Sequence, residues 1–172
     1  QLPELLDLAT EDQRTKTLYG LENRETSNFG SKCLLARRLV ESGVRFVEIT
    51  FGNWDQHNNL DTDLPRNCSQ IDKGIDGLLT DLAERGLLEE TLVVWTGEFG
   101  RTPYGQSTNG RDHNNKAFTL WMAGGGCKAG TKYGNSGDYG YEAVENPVPI
   151  VDLHATLLAL MGIDHEWLTY AY

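Results

Sequence analysis

Residues Thr91–Trp95 read TLVVW, a short run that is almost entirely apolar. A run of this length, rich in β-branched and aromatic side chains, predicts a strand that is buried on both faces, as in a parallel sheet. Two further segments have the same character, RFVEITF at 45–51 and AFTLWMA at 117–123. We therefore expect these three strands to lie in one sheet.

Helical patterns alternate with the strands. Three segments, at about 27–43, 63–86 and 152–162, carry apolar residues at helical spacing and end in a glycine. Asp152 is expected to cap the third helix. The alternation predicts an α/β fold with a mainly parallel sheet and helices on both faces. Residues 1–172 are expected to form a single domain, in which the polar segment 1–28 is a lead-in.

The overall charge of the chain excludes some classes of binding partner. The formal net charge is −10 at pH 7. Such an acidic chain lacks the basic face of a nucleic-acid-binding protein, and it is unsuited to anionic lipid. No apolar run approaches the length of a transmembrane helix. Because the sequence starts at Gln1 without Met or a signal-peptide pattern, we expect it to be part of a longer chain.

Polar side chains cluster after the predicted strands, where ligands bind in open α/β sheets. Two clusters follow strands and a third precedes one; their members are Asp55, His57 and Asn59, then Glu98 and Arg101, then Arg111, Asp112 and His113. A mixed set of carboxylates and imidazoles suits a divalent ion such as zinc or manganese. The sequence therefore predicts a metal site at this edge of the sheet.

Each cluster also has a structural interpretation. Asp55 and His57 lie in a loop rich in Asn and Gly, so both are typical turn residues. Glu98 and Arg101 could form a surface pair, and the Asp112–His113 segment could be a solvated loop. The joint placement of the clusters favours the metal site. The glycine run at 124–126 lacks the phosphate-loop pattern and predicts a tight turn.

The motifs of the chain resemble those of a bacterial family. The segments that carry the resemblance are GVRFVEITFGNWDQHNN, LVVWTGEFGRTP, GRDHNNKAFTLWMAGGGCKAGTKYG and VPIVDLHATLLALMGIDHEWLTY. They closely resemble the family catalogued as domain of unknown function 1501, which is grouped with sulfatases in the alkaline phosphatase-like superfamily. The resemblance implies a sulfatase-like fold of which this chain is an incomplete, C-terminal part.

The resemblance assigns metal ligands residue by residue. Glu98 stands where the superfamily has a metal-binding aspartate, and Phe99 occupies a histidine position and cannot bind metal. Asp55 and His57 resemble an aspartate–histidine pair whose usual separation would place the histidine at Asn59. His113 resembles the third histidine of that site.

The remaining roles also follow from the resemblance. Arg101 would bind an oxygen of an anionic ester, with Asp112, Asn59 and Arg111 supporting the ligands. The nucleophile would precede Gln1, and an export signal there would place the intact bacterial protein in the periplasm or outside the cell.

Two functions compete. The first is a metal-dependent hydrolase of sulfate or phosphate esters, using zinc, manganese or calcium, in which this chain alone has negligible activity. The alternative is a non-catalytic sulfatase-like module that binds an anionic ester or a sulfated glycan. If the first is right, Asp55, His57 and His113 should converge on one point, and Phe99 should turn into the core. A purely structural role for the clusters predicts that these side chains lie apart.

Overall fold

The computed structural model describes residues 2–169, with the side chain of Leu2 left out. Within residues 2–169, five α-helices and six short strands form a mixed α/β structure. The helices are α1 (Leu2–Leu6), α2 (Gln13–Leu18), α3 (Ser27–Glu41), α4 (Leu60–Glu84) and α5 (Ile150–Leu160). The strands are β1 (Val93–Trp95), β2 (Gly100–Gln106), β3 (Gly110–Asn114), β4 (Trp121–Ala123), β5 (Asn135–Ser136) and β6 (Ala143–Glu145). A 3₁₀ turn, Leu8–Thr10, joins α1 to α2. No helix within residues 2–169 is both long and apolar enough to cross a membrane.

The chain divides into two compact units. Unit 1 comprises the residues up to Leu88 together with Gln106–Gly110, and unit 2 comprises Glu89–Gly105 and the residues from Arg111 onward. Unit 1 is helical, and α3 packs against α4. Its core is formed by five buried residues, Tyr19, Phe29, Cys33, Leu34 and Ile71. The segment 1–28 is therefore more than a lead-in, because Tyr19 is completely buried at the centre of this core.

The helix predictions are confirmed within a few residues. α3 ends at Glu41, two residues before Gly43, whose φ of +91° is the left-handed conformation that a glycine adopts after a helix. α4 begins at Leu60, earlier than predicted, and keeps Pro65 inside its second turn. Asp152 is not the cap of α5, because Pro149 precedes the first helical residue and Asp152 lies in the first turn. There its carboxylate still faces the positive end of the helix.

The prediction of one parallel sheet is wrong for the described residues. β1 pairs with β4 in antiparallel register, so that Val94 lies opposite Met122. β2 pairs with β3, and β5 with β6, in separate two-stranded sheets. Parallel strands need a crossover connection, usually a helix, and the connection from β1 to β4 contains the β2–β3 hairpin instead.

The segment Arg45–Phe51 has the side-chain alternation of a strand but is not one. Ile49 and Phe51 are half-buried against the core of unit 1, whereas the intervening Thr50 and the nearby Phe46 are exposed. The period-2 pattern thus reports correctly which face is covered. A strand also needs a hydrogen-bonded neighbour, and this segment has no ladder partner among residues 2–169.

Alkaline pH is expected to destabilise unit 1 through two core residues. Burial raises the pKa of the Cys33 thiol from 9.0 to about 12. Burial, together with Asp81, also raises the pKa of Tyr19, whose hydroxyl donates to Asp81 Oδ2 at 3.0 Å. Because the folded state holds these protons more tightly, their contribution is complete below pH 9 and is lost as the pH rises toward 12.

Urea unfolding between pH 8 and pH 11 measures this loss. Cys33→Ala is expected to be less stable at pH 8 but to have a flatter decline of unfolding free energy with pH. An unchanged slope in Cys33→Ala would show that Cys33 does not contribute to the alkaline loss.

Candidate metal centre

The loop that carries Asp55 and His57 is fastened to the core of unit 1. Phe51 makes an edge contact with Phe29, at 5.4 Å between ring centroids, and Trp54 packs on Phe51 at 6.0 Å. These aromatic contacts fix the start of the loop. The apolar contacts of Phe51 and Trp54 therefore explain why this loop has a defined conformation although it has no regular secondary structure.

Buried amides fix the middle of the same loop. The carbonyl oxygen of Asn53 accepts hydrogen bonds from the side-chain amides of Gln56 and Asn67. Asn67, on α4, is completely buried, and Gln56 is nearly so. Asn53 has a φ of +76°, which asparagine tolerates better than most residues. The turn at Asn53 thus directs the next residues, Asp55 and His57, away from the core.

Asp55 and His57 form a close pair at the end of this loop. Nε2 of His57 lies 3.0 Å from Oδ1 of Asp55. The Asp55 side chain is 63% exposed and that of His57 is 33% exposed, so solvent ions can reach both. Two tetrahedral ligands at about 2.0–2.2 Å from a zinc ion lie about 3.3–3.6 Å apart, so this pair would have to separate by only a few tenths of an ångström to bind one ion.

The tip of the β2–β3 hairpin supports His57 from the other side of its ring. Nδ1 of His57 is hydrogen-bonded to Oε1 of Gln106. The backbone N–H of Leu60 donates to the carbonyl of Asn109 at 3.1 Å, which joins the start of α4 to the same tip. Gly110 lies directly against the main chain at His57, where a Cβ would collide with the carbonyl oxygen of His57.

Gly110→Ala is expected to displace the main chain at His57 and to lower the free energy of unfolding by about 1–3 kcal/mol, the usual cost of overpacking. Backbone atoms on both sides of the contact leave no flexible side chain to move aside. Gly105→Ala is the matched control in the same hairpin, because the nearest atom to a Cβ there is an arginine nitrogen 4.0 Å away. Chemical denaturation compares the two variants. Equal stability of Gly105→Ala and Gly110→Ala would contradict the close contact.

His113 lies on β3, three residues beyond Gly110, in unit 2. Its ring packs on Phe99, with 4.7 Å between centroids. The prediction that Phe99 turns into the core is therefore wrong, since its half-buried ring covers one side of the imidazole. Asp112 was expected to hold a ligand ring, but its Oδ1 accepts the backbone N–H of His113 at 2.7 Å. Through this contact Asp112 fixes the main chain of His113.

Asp55 and His57, both in unit 1, are two predicted ligands that the structure brings together. His113 belongs to unit 2, and its part in a shared ion stays a prediction. One carboxylate oxygen and two imidazole nitrogens would make a ligand set typical of zinc or manganese.

The other predicted site residues lie outside this group. Glu98 faces Arg101 at 3.5 Å, a long and exposed pair within unit 2. Asn59, with a φ of +55°, begins α4, and its carbonyl accepts the N–H of Asp63 at 2.9 Å. Arg111 is half-buried on β3. Asn59 therefore has an evident structural task, the start of the helix that follows the loop.

Sequence reasoning did not identify two side chains that shape the site. Gln106 and Asn67 are neutral amides, and neither lies in one of the charged motifs. A signal for Gln106 was nevertheless present, because QSTNG at 106–110 is a run of turn residues that predicts a hairpin tip. The signal for Asn67 was a polar residue on the apolar face of a predicted helix.

Comparison with known proteins identifies the family but not the activity. No curated protein and no solved structure matches the chain. One family model, described as "Protein of unknown function (DUF1501)", matches residues 1–172, which is the whole sequence. The chain therefore belongs to the DUF1501 family.

Proposed function

We propose that this chain carries the metal site of a metal-dependent hydrolase of sulfate or phosphate esters, related to the alkaline phosphatase-like superfamily. The observation that carries the proposal is the pair formed within unit 1 by Asp55 and His57, whose Oδ1 and Nε2 lie 3.0 Å apart. His113 is proposed as the third ligand from the sequence motifs. The sulfatase-like motifs around these residues supply the reaction class by resemblance.

The ligand set favours zinc or manganese over calcium, because calcium prefers oxygen ligands alone. Three protein ligands also leave at least one coordination position open in a four-coordinate ion. An open position is what a catalytic metal needs, since water or an ester oxygen must reach it. At that position the ion would neutralise charge on the ester during its cleavage.

Arg101 would complete the binding of an anionic ester. The net charge of −10 repels anions, so an ester needs focused positive charge at the site. Arg101 has a planar guanidinium that suits two oxygens of a sulfate or phosphate group. Its contact with Glu98 is long, at 3.5 Å, and the glutamate is 63% exposed, so an ester could replace Glu98 as partner. Arg111, Asp112 and Asn59 would support the ligands.

The second candidate function is a module of the same fold that binds a sulfated glycan or another anionic ester without cleaving it. Phe99 favours this alternative, because it stands where the resemblance expects a metal-binding histidine. The Phe99 ring packs on the ring of His113, with 4.7 Å between their centroids, and so fills the space beside this proposed ligand. We propose in either case an exported bacterial protein whose partners are small anions, with neither nucleic acid nor membrane among them.

Anion binding tests the proposal without requiring turnover. Calorimetric titration of the chain with zinc and with manganese is expected to show one ion bound, and inorganic phosphate or sulfate should bind only after the metal. Assays on aryl phosphate and aryl sulfate then separate hydrolase from binding module. We expect negligible turnover from residues 1–172 alone, because the resemblance places the nucleophile outside them. Tight anion binding without metal would contradict the metal-dependent hydrolase and favour the binding module.

A further inference from the structure

We propose that Gln106 is a positioning residue of the metal site, which sets the tautomer of His57 and so presents Nε2 to the ion. This inference rests on the proposed metal site and adds a residue that no charged motif contains. It is carried by the contact between Oε1 of Gln106 and Nδ1 of His57.

The two nitrogens of the His57 ring have different neighbours. Nδ1 faces the amide oxygen of Gln106, and Nε2 lies 3.0 Å from a carboxylate oxygen of Asp55. A carbonyl oxygen can only accept a hydrogen bond, so its partner Nδ1 must carry the proton. In the neutral ring Nε2 then has a lone pair, which faces the lone pairs of the Asp55 carboxylate. A divalent cation that both Nε2 and the Asp55 carboxylate bind would be a favourable partner for both groups.

The hydrogen bond of Gln106 therefore selects the nitrogen that binds the metal. Metal-bound histidines almost always donate their second ring N–H to a carbonyl, a carboxylate or water, which fixes the tautomer and the ring orientation. Gln106 fulfils this role with a neutral amide, so the site gains orientation without a further negative charge.

The main chain holds Gln106 in place. It is the last residue of β2, and the following Ser107 has a φ of +54°, which turns the chain at once into the hairpin tip. Within unit 1, the tip is held by the hydrogen bond from the Leu60 N–H to the Asn109 carbonyl, and by the contact of Gly110 with the main chain of His57. The main chain of Gln106 is thus fixed close to the His57 ring that the Gln106 side chain orients.

Three variants test the role of Gln106 through zinc affinity. Gln106→Ala is expected to bind zinc roughly 10–100-fold more weakly, which is the usual effect of removing a partner of a ligating histidine. Gln106→Glu restores an acceptor and is expected to bind at least as tightly as the wild type. Gln70→Ala, on α4, is the matched control and should leave the affinity unchanged. Thermal melts of the metal-free variants check that all remain folded.

Nitrogen-edited NMR of the zinc-loaded chain gives a second readout that a merely structural role would not change. In the wild type, one of the four histidines is expected to show a slowly exchanging Nδ1–H with zinc on Nε2. Gln106→Ala should lose this protected signal. The inference is overturned if Gln106→Ala keeps both its zinc affinity and the protected proton, or if Gln106→Glu fails to restore them.

Failure of this inference differs from failure of the proposed function. If His57→Ala and Asp55→Ala abolish zinc binding while Gln106→Ala does not, the metal site stands and Gln106 is no part of it. If none of these variants changes zinc binding, the ion lies elsewhere and the proposed site itself is wrong.

Discussion

Replacing Arg37 with alanine is expected to lower the free energy of unfolding by about 3–5 kcal/mol, the cost of breaking a buried ion pair from one side. The Arg37 side chain is only 3% exposed. Its guanidinium lies 2.8 Å from Glu11 and 2.9 Å from Asp81, and it also contacts Glu41. Truncation leaves the carboxylate of Asp81, itself 7% exposed, without this charge partner inside unit 1.

The pKa values of this cluster follow from the same contacts. Burial acts to lower the pKa of Arg37, yet the carboxylates of Glu41, Asp81 and Glu11 outweigh burial and raise it. Burial likewise acts to raise the pKa of Glu41, and Arg37 and Arg85 outweigh it and lower that pKa. Because the folded pKa of Glu41 is depressed, its contribution is complete above the unfolded value and is lost as the pH falls through the folded one.

Arg14→Ala is the matched control for Arg37→Ala. Arg14 makes two 2.8 Å hydrogen bonds to Glu84, but its side chain is 77% exposed. An exposed pair contributes at most about 1 kcal/mol, so Arg14→Ala shows the effect of losing an arginine whose single carboxylate partner is exposed. Urea denaturation measures both variants. Similar losses for Arg14→Ala and Arg37→Ala would show that the buried cluster has no special importance.

Replacing His57 with alanine is expected to weaken zinc binding by more than the roughly 10–100-fold that outer partners of a ligand cost. The variant removes one of the three proposed ligands. It also removes the Nε2 atom that lies 3.0 Å from Oδ1 of Asp55. His165→Ala is the control, because His165 is an exposed histidine outside the group. Competition with a zinc indicator measures both. Equal loss in His165→Ala would mean that histidines bind zinc non-specifically.

The sequence predicted α3, α4 and α5 because their signals are local, but it missed α1 and α2, which lie in the segment taken as a lead-in. Apolar spacing and the glycine stops at Gly43 and Gly86 depend only on nearby residues. Strand pairing is not local, and the segment Arg45–Phe51 shows the consequence. Its β-branched and aromatic residues predicted a strand, yet nothing in seven residues says whether a neighbouring strand exists.

The candidate site divides in the same way. Asp55, His57 and His113 could be proposed as ligands from the sequence because few residue types bind metal. All three lie in the polar clusters next to the predicted strands. Phe99 was expected in the core because its position no longer serves a ligand, but its ring packs on the ring of His113 instead. Gln106 was missed because a neutral amide becomes informative only when its partner is known.

Anomalous X-ray scattering at the zinc edge, from crystals of the zinc-loaded chain, would locate the bound ion. One strong peak is expected at about 2.0–2.2 Å from an oxygen of Asp55 and from one nitrogen each of His57 and His113. A peak bound to other residues, with the ligand atoms of Asp55, His57 and His113 bare, would contradict the proposed metal site.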